Sequence, residues 1–127
     1  MSEYIDKIRF DSEAATDFFA EKLAFTLGPV ELKKMMDEKK VKLIDVRQKE
    51  DFEEGHIPES MSVPKDELKD KLTQFSKEDV HVVCCYNQQC HLAAAAALNL
   101  AKNGYPVMEL DGGFQAWSED FGFEVVS

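Results

Sequence analysis

The sequence predicts an α/β domain built on a largely parallel sheet. Short apolar runs of strand character at residues 41–46, 80–85 and 107–110 alternate with helical patterns, the order that βαβ units require. The run at 80–85 has no charge on either face, as expected of a strand covered by helices on both sides. A chain of 127 residues suits a single domain whose core needs no disulfide or metal staple.

The elements follow in order. Residues 12–23 form the first predicted helix, because Ala15, Phe18, Phe19 and Leu23 recur at helical spacing; this face is expected to pack on the domain. Gly28-Pro29 interrupts the chain, and Pro29 opens a helix over 30–38 with Leu32, Met35 and Met36 inward. Lys39 and Lys40 follow its C-terminus, where the helix dipole favours cations. Residues 41–46 read as a buried strand, and 49–54 as one or two helical turns stopped by Gly55. His56-Ile57-Pro58 and Ser62-Val63-Pro64 form an extended connection with a minor strand, since proline pushes the preceding residue toward β geometry. Residues 65–75 are helical, with Leu68 and Leu72 four apart, and 80–85 are the central strand.

A helix then starts near His91 and runs to Lys102. Its alanine run at 93–97 suits close packing on a sheet, and Asn103-Gly104 supplies a left-handed cap. Residues 107–110 are the last strand, Asp111-Gly112-Gly113 a turn, and 114–119 a short helix carrying Trp117. The division is therefore a helical extension, 1–27, packed on a main domain, 28–127.

Fifteen Lys and Arg against twenty-five Asp and Glu leave a net charge of -10, which repels nucleic-acid phosphates and anionic membranes. Neither is expected as a partner. An apolar fraction of 44% and a charged fraction of 31% describe a globular chain in water. The acidic N-terminus lacks the blocks of a signal peptide, so the expected location is cytoplasmic, with the cysteines under reducing conditions. All three, Cys84, Cys85 and Cys90, lie close together, and from His81 to Ala101 there is no Asp, Glu, Lys or Arg.

In a parallel sheet, ligands bind beyond the carboxyl ends of the strands, where the next helix offers unsatisfied N–H groups and a partial positive charge. Cys85 falls there. Tyr86-Asn87-Gln88-Gln89-Cys90 is long enough to curl into a loop that feeds the alanine-rich helix, and converging amides are expected to lower the Cys85 thiol pKa. Cys84 faces the opposite side as a small buried hydrophobe. Cys90 reads either as a redox partner that could form a disulfide with Cys85 or as a neutral occupant of the turn. His91 reads either as a modulator of the thiol or as a plain helix start. A zinc site from Cys85, Cys90 and His91 is disfavoured, since the spacing matches no common finger and a fourth ligand is not evident. No metal and no cofactor are expected.

Three blocks in order resemble the single-domain rhodanese-like sulfurtransferases over about residues 28–123. They are Leu43-Ile44-Asp45-Val46-Arg47 with Glu54-Gly55-His56-Ile57-Pro58 and Val63-Pro64; Val82-Val83-Cys84-Cys85 with Ala94-Ala95; and Gly104-Tyr105 through Leu110-Asp111-Gly112-Gly113 to Ala116-Trp117. The resemblance implies the three-layer fold of that family and a persulfide carrier. Cys85 matches the nucleophile, and the amides of residues 86–91 would cradle the sulfur and its charge. Asp45 and Arg47 resemble the family's charged pair, expected to brace the site rim, and His56 is expected to fix its turn through backbone hydrogen bonds.

One departure stands out. Many members of the family carry Arg five residues after the nucleophile, followed by Ser or Thr, where this chain has Cys90 and His91. Without that cation thiosulfate loses one or two charge-assisted hydrogen bonds, and persulfides, polysulfides or a partner protein's persulfide become the preferred donors. The expected function is sulfur transfer from such donors or thiosulfate to a thiol or other nucleophilic acceptor, with weak thiosulfate:cyanide activity, by a chain that is monomeric by default. The rival reading is a non-catalytic module that binds a partner, with the Phe18-Phe19 helix as docking element, or senses redox state through Cys85 and Cys90. Phosphatase or arsenate reductase chemistry ranks last, because it needs the missing Arg to clamp an oxyanion.

Overall fold

The computed structural model describes residues 2–38 and 41–127, so the expectation for Lys39 and Lys40 lies outside the described residues. Helices α1 (Ser2–Phe10) and α2 (Ser12–Phe25) come first, followed by strand β1 (Thr26–Leu27), α3 (Pro29–Asp37), β2 (Val41–Asp45), α4 (Lys49–Glu54) and β3 (Met61–Ser62). A short helix α5 (Leu68–Lys71) lies between two tighter 3-10 turns, Lys65–Glu67 and Leu72–Gln74. Then come β4 (Val80–Cys84), α6 (Leu92–Lys102), β5 (Val107–Leu110) and α7 (Gly113–Gln115), which widens into a π-type turn over Ala116–Asp120.

The sheet has the order β1-β5-β4-β2-β3, and every pairing is parallel. This is the expected α/β architecture. β4 lies at its centre, and the two edge strands have two residues each, which limits the unpaired backbone an edge exposes.

Alternation along β4 divides the core into two layers. Val83 and Cys85 pack with Ile44, Val46, Leu68, Ala93, Ala96 and Leu100 on one face. Val82 and Cys84 pack with Leu32, Leu43, Ile57, Leu110 and Trp117 on the other. Cys84 and Cys85 thus face opposite sides, as the period of two requires. Alanine at positions 93 and 96 lets α6 settle directly on the sheet, and both are buried.

The helix ends match the expected chemistry. Pro29 stands in the first turn of α3, and the Glu31 carboxylate accepts the Gly28 N–H at 3.2 Å. Gly104, with φ +85°, ends α6; its N–H reaches the Ala101 carbonyl at 3.0 Å, while that of Tyr105 reaches the Leu100 carbonyl at 3.0 Å.

Three differences from the sequence reading have physical causes. The predicted helix over 65–75 breaks into three short turns that bury Leu68. The two residues of β1 are too few to show a strand period, and they join the sheet by pairing with β5. Helix α1 was not anticipated; it carries Glu3 in its first turn and Lys7 and Arg9 in its last, the arrangement a helix dipole favours.

The expected packing of the first helix on the domain is also revised. No residue of α2 is buried: Phe18 and Phe19 are each 58% exposed and Leu23 81%. Its end is held because Thr26 and Leu27 pair with Glu109 and Leu110, and α2 touches β5 while its side chains stay exposed. A chain beginning at Thr26 is therefore expected to keep one cooperative unfolding transition. Its midpoint should fall by less than the 4–8 °C or so that about 1 kcal/mol corresponds to. Loss of the cooperative transition in calorimetry would show that the helices are part of the core.

Candidate active site

β4 ends at Cys84, and Cys85 begins the loop that leads into α6. The loop's shape follows from its polar side chains. The Asn87 carboxamide oxygen accepts the N–H groups of Gln89 and Cys90, both at 3.1 Å, and the Cys90 N–H also meets the Asn87 carbonyl at 3.1 Å. This Asx-type turn curls the chain back toward Cys85. Gln88 reaches outward and accepts the Gly112 N–H at 2.8 Å.

The opposite side of the loop is clamped by the start of α7. Phe114 N–H donates to the Cys85 carbonyl at 2.8 Å, and Gln115 N–H to the Tyr86 carbonyl at 2.9 Å. Such contacts bring the backbone of Gly113 very close. A Cβ there would stand 2.7 Å from the Cys85 carbonyl oxygen and 3.0 Å from the Asn87 nitrogen, and φ is +60°. Only glycine meets both demands.

A buried ion pair braces the rim. The Arg47 guanidinium donates to both Asp45 carboxylate oxygens at 2.9–3.1 Å and to the Gly55 carbonyl at 2.7 Å. Asp45 is 0% and Arg47 4% exposed. The guanidinium lies over the Phe114 ring at 4.1 Å and near the Tyr86 ring at 5.8 Å. Tyr86 in turn donates its hydroxyl hydrogen to Asp51 and accepts the Gln48 N–H at 3.2 Å. These contacts connect the end of β2 with the loop and with α7.

His56 belongs to a different feature. Its Nδ1–H donates to the Phe52 carbonyl at 2.8 Å, its ring stacks on Phe52 at 3.7 Å, and its backbone pairs with Val126. It holds a turn. His91 is exposed at the foot of α6, where its carbonyl accepts the Ala95 N–H.

Both cysteine side chains lie on one face of the core beneath this frame. Cys85 is 2% exposed and its Sγ lies 3.5 Å from the Cys90 carbonyl oxygen. The two thiols are close enough to influence each other's protonation. The Ala93 and Tyr86 amides favour a Cys85 anion, and the Leu92 and Tyr86 amides a Cys90 anion. The cradle is therefore built from the loop's first amide and the first two of α6, while the Gln89 and Cys90 N–H groups are occupied by Asn87.

The expected fall in the Cys85 pKa is not what this environment produces. Burial penalises its anion most, and the hydrogen bond to Cys90 retains its proton; against these the Ala93 and Tyr86 amides are insufficient, and the thiol is pushed up to about 12. For Cys90 burial again opposes the anion, but the Cys85 hydrogen bond and the Leu92 and Tyr86 amides outweigh it, so its pKa is lowered. When the reduced pair loses a proton, Cys90 is the favoured site of the charge.

Sequence reasoning missed Glu109. This half-buried carboxyl on β5 is pushed up by burial and by Asp111, while His91 pulls it down, and its charge opposes a Cys90 anion. An isolated glutamate in an apolar strand was the available signal. Asp51 lay in an acidic helix and had none.

The chain matches the Rhodanese-like domain family over residues 28–120. A thiosulfate sulfurtransferase, GlpE, of Pseudomonas syringae pv. syringae is 31% identical over 98 residues, 77% of this chain and 92% of that protein. An HTH-type transcriptional regulator of Mycobacterium tuberculosis is 32% identical over 87 residues, 68% of this chain but only 38% of the regulator. A crystal structure of a Bacillus halodurans protein superposes with TM-score 0.82 at 29% identity, covering 91% of this chain and 86% of that one.

Two outcomes test the geometry. Gly113→Ala should lower stability by about 1–3 kcal/mol in denaturant titration through strain at φ +60° and the clash with the loop; an unchanged midpoint would contradict the contact. At neutral pH iodoacetamide should label Cys90 ahead of Cys85, with Cys85 labelling rising as the pH approaches 12. Peptide mass mapping that finds Cys85 labelled first would reverse the assignment.

Proposed function

Since this chain belongs to the rhodanese-like domain family, we propose that it is a sulfurtransferase carrying a sulfane sulfur on Cys85. The observation that supports this most is the placement of the Cys85 thiol at the end of the central strand, against the amides of Tyr86 and Ala93. The name of the Pseudomonas relative, a thiosulfate sulfurtransferase, agrees with the reaction class.

In the first half-reaction the Cys85 sulfur attacks the outer sulfur of a persulfide or polysulfide. The donor's S–S bond breaks, the donor thiolate leaves, and Cys85–S–SH forms. The Cys85 proton has an acceptor in contact, the Cys90 sulfur, so the high Cys85 pKa does not prevent attack. In the second half-reaction an acceptor thiolate attacks the terminal sulfur, taking it as a new persulfide and returning Cys85. Charge on the transferred sulfur is stabilised by the same amides and the N-terminal end of α6.

Thiosulfate is the less suitable donor. Residues 86–91 hold no Lys or Arg, and the Arg47 guanidinium is bound to Asp45 and Gly55. Losing one or two charge-assisted hydrogen bonds costs very roughly 1.5–3 kcal/mol each. The partners we assign are a small sulfur donor and a thiol acceptor or partner protein, handled by a monomer in the cytoplasm. Among the described residues no helix is long and apolar enough to cross a membrane. We further assign residues 28–127 as the catalytic domain and 1–27 as an extension.

A second reading keeps the domain as a binding or redox-sensing module through Cys85 and Cys90. The near-complete burial of Cys85 and the exposed Phe18 and Phe19 favour it. Intact mass spectrometry separates the two. After exposure to a small-molecule persulfide, the wild-type chain and Cys84→Ser should gain one sulfur atom, and Cys85→Ser should not. Failure of the wild-type chain to gain sulfur from any donor would favour the module. In a thiosulfate:cyanide assay the KM for thiosulfate should exceed about 1 mM, given the missing cation; a value well below that would contradict the electrostatic argument.

A further inference from the structure

Transfer to an external acceptor uses one thiol, yet the loop brings two to one face of the core. Cys85 and Cys90 belong to the same face of the core, both are free, and Cys85 Sγ lies 3.5 Å from the Cys90 carbonyl oxygen. The Asn87 turn holds the Cys90 backbone, while its side chain remains only partly covered. Bonding the two sulfurs therefore asks for side-chain rotation within a loop already curled end to end. Burial opposes a Cys90 anion, while the Leu92 and Tyr86 amides favour it.

Cys85 is 2% exposed, inside a shell of net charge -10. An anionic acceptor must cross that shell and then reach a buried sulfur. An internal thiol does neither.

We propose that Cys90 resolves the Cys85 persulfide, releasing its outer sulfur as hydrosulfide and leaving a Cys85–Cys90 disulfide, so that the chain acts as a persulfide reductase. The step rests on the carrier reading above. The Cys90 thiolate attacks Cys85 Sγ, the bond between Sγ and the outer sulfur breaks, and that sulfur leaves with the electron pair as HS⁻. The sulfane sulfur is reduced and the two cysteines are oxidised, so the step needs no external oxidant. A small-molecule thiol or a protein dithiol then opens the disulfide by exchange and is itself oxidised.

The experiment uses the full chain, reduced, treated with a stoichiometric glutathione persulfide, freed of donor by gel filtration and held without reductant. The wild-type chain and Cys84→Ser should release about one hydrosulfide per chain. Their intact mass should move from one sulfur above the reduced chain to two hydrogens below it, with tandem spectra joining Cys85 to Cys90. Cys90→Ser and Cys90→Ala, given longer loading because they lack the Cys90 acceptor for the Cys85 proton, should keep the sulfur adduct they gain and release hydrosulfide at least about tenfold more slowly. A stable adduct on the wild-type chain, or equal release from either Cys90 variant, would overturn the resolving role while leaving the carrier intact. Absence of adduct, disulfide and hydrosulfide from every form would overturn the carrier reading itself.

Discussion

The close approach of Gly113 to the backbone of Cys85 and Tyr86 is the constraint on which the site depends. It lets two amides of α7 satisfy the carbonyls of Cys85 and Tyr86 at 2.8 and 2.9 Å. A loop leaving the centre of a parallel sheet must find partners for such groups or bear the cost of burying them bare. With those carbonyls held, the Tyr86 amide turns toward the sulfurs, and the Asn87 side chain closes the remaining turn. The Phe114 ring that follows Gly113 lies against Arg47, so the same contact seats the ion pair at the end of β2. Sheet, loop and C-terminal segment thus form one mechanical unit.

Within that unit desolvation and backbone dipoles oppose each other. At Cys85 burial wins, and at Cys90, more accessible, the Cys85 thiol and the two amides together outweigh it. Two interacting thiols titrate as a pair, with the charge favoured on the more solvated member. The Asp45–Arg47 pair lends no charge to this balance. It is buried and mutually neutralised, and its worth lies in joining elements, because removing one partner would strand a buried charge at about 3–5 kcal/mol.

Much of this was legible in the residues themselves. The uncharged run through Val82 and Val83 marked the central strand because a covered strand tolerates no charge, and the alternation that separates Cys84 from Cys85 follows from the pleat. Three spaced blocks identified the family, and the replacement of its Arg by Cys90 was plain. Other features left no local trace. The Phe18-Phe19 face looked like a packing face because amphipathic spacing reports a helix, not what covers it. The Cys85 pKa was read with the wrong sign, since helix N-terminal amides can be inferred from order along the chain whereas burial and a second thiol are three-dimensional. Asp51 and Glu109 enter the site through tertiary contact alone, and Gly113 read as a turn without revealing whose backbone it approaches.

The central claim is that sulfur is carried on Cys85 within the amide cradle of Tyr86, Leu92 and Ala93. The most direct measurement is a crystal structure of the Cys90→Ser chain after treatment with a persulfide donor. The account predicts anomalous density for one additional sulfur bonded to Cys85 Sγ, within hydrogen-bond reach of at least one of those amides. Additional sulfur on Cys84, or an unmodified Cys85 in crystals of chain whose mass shows the adduct, would contradict it.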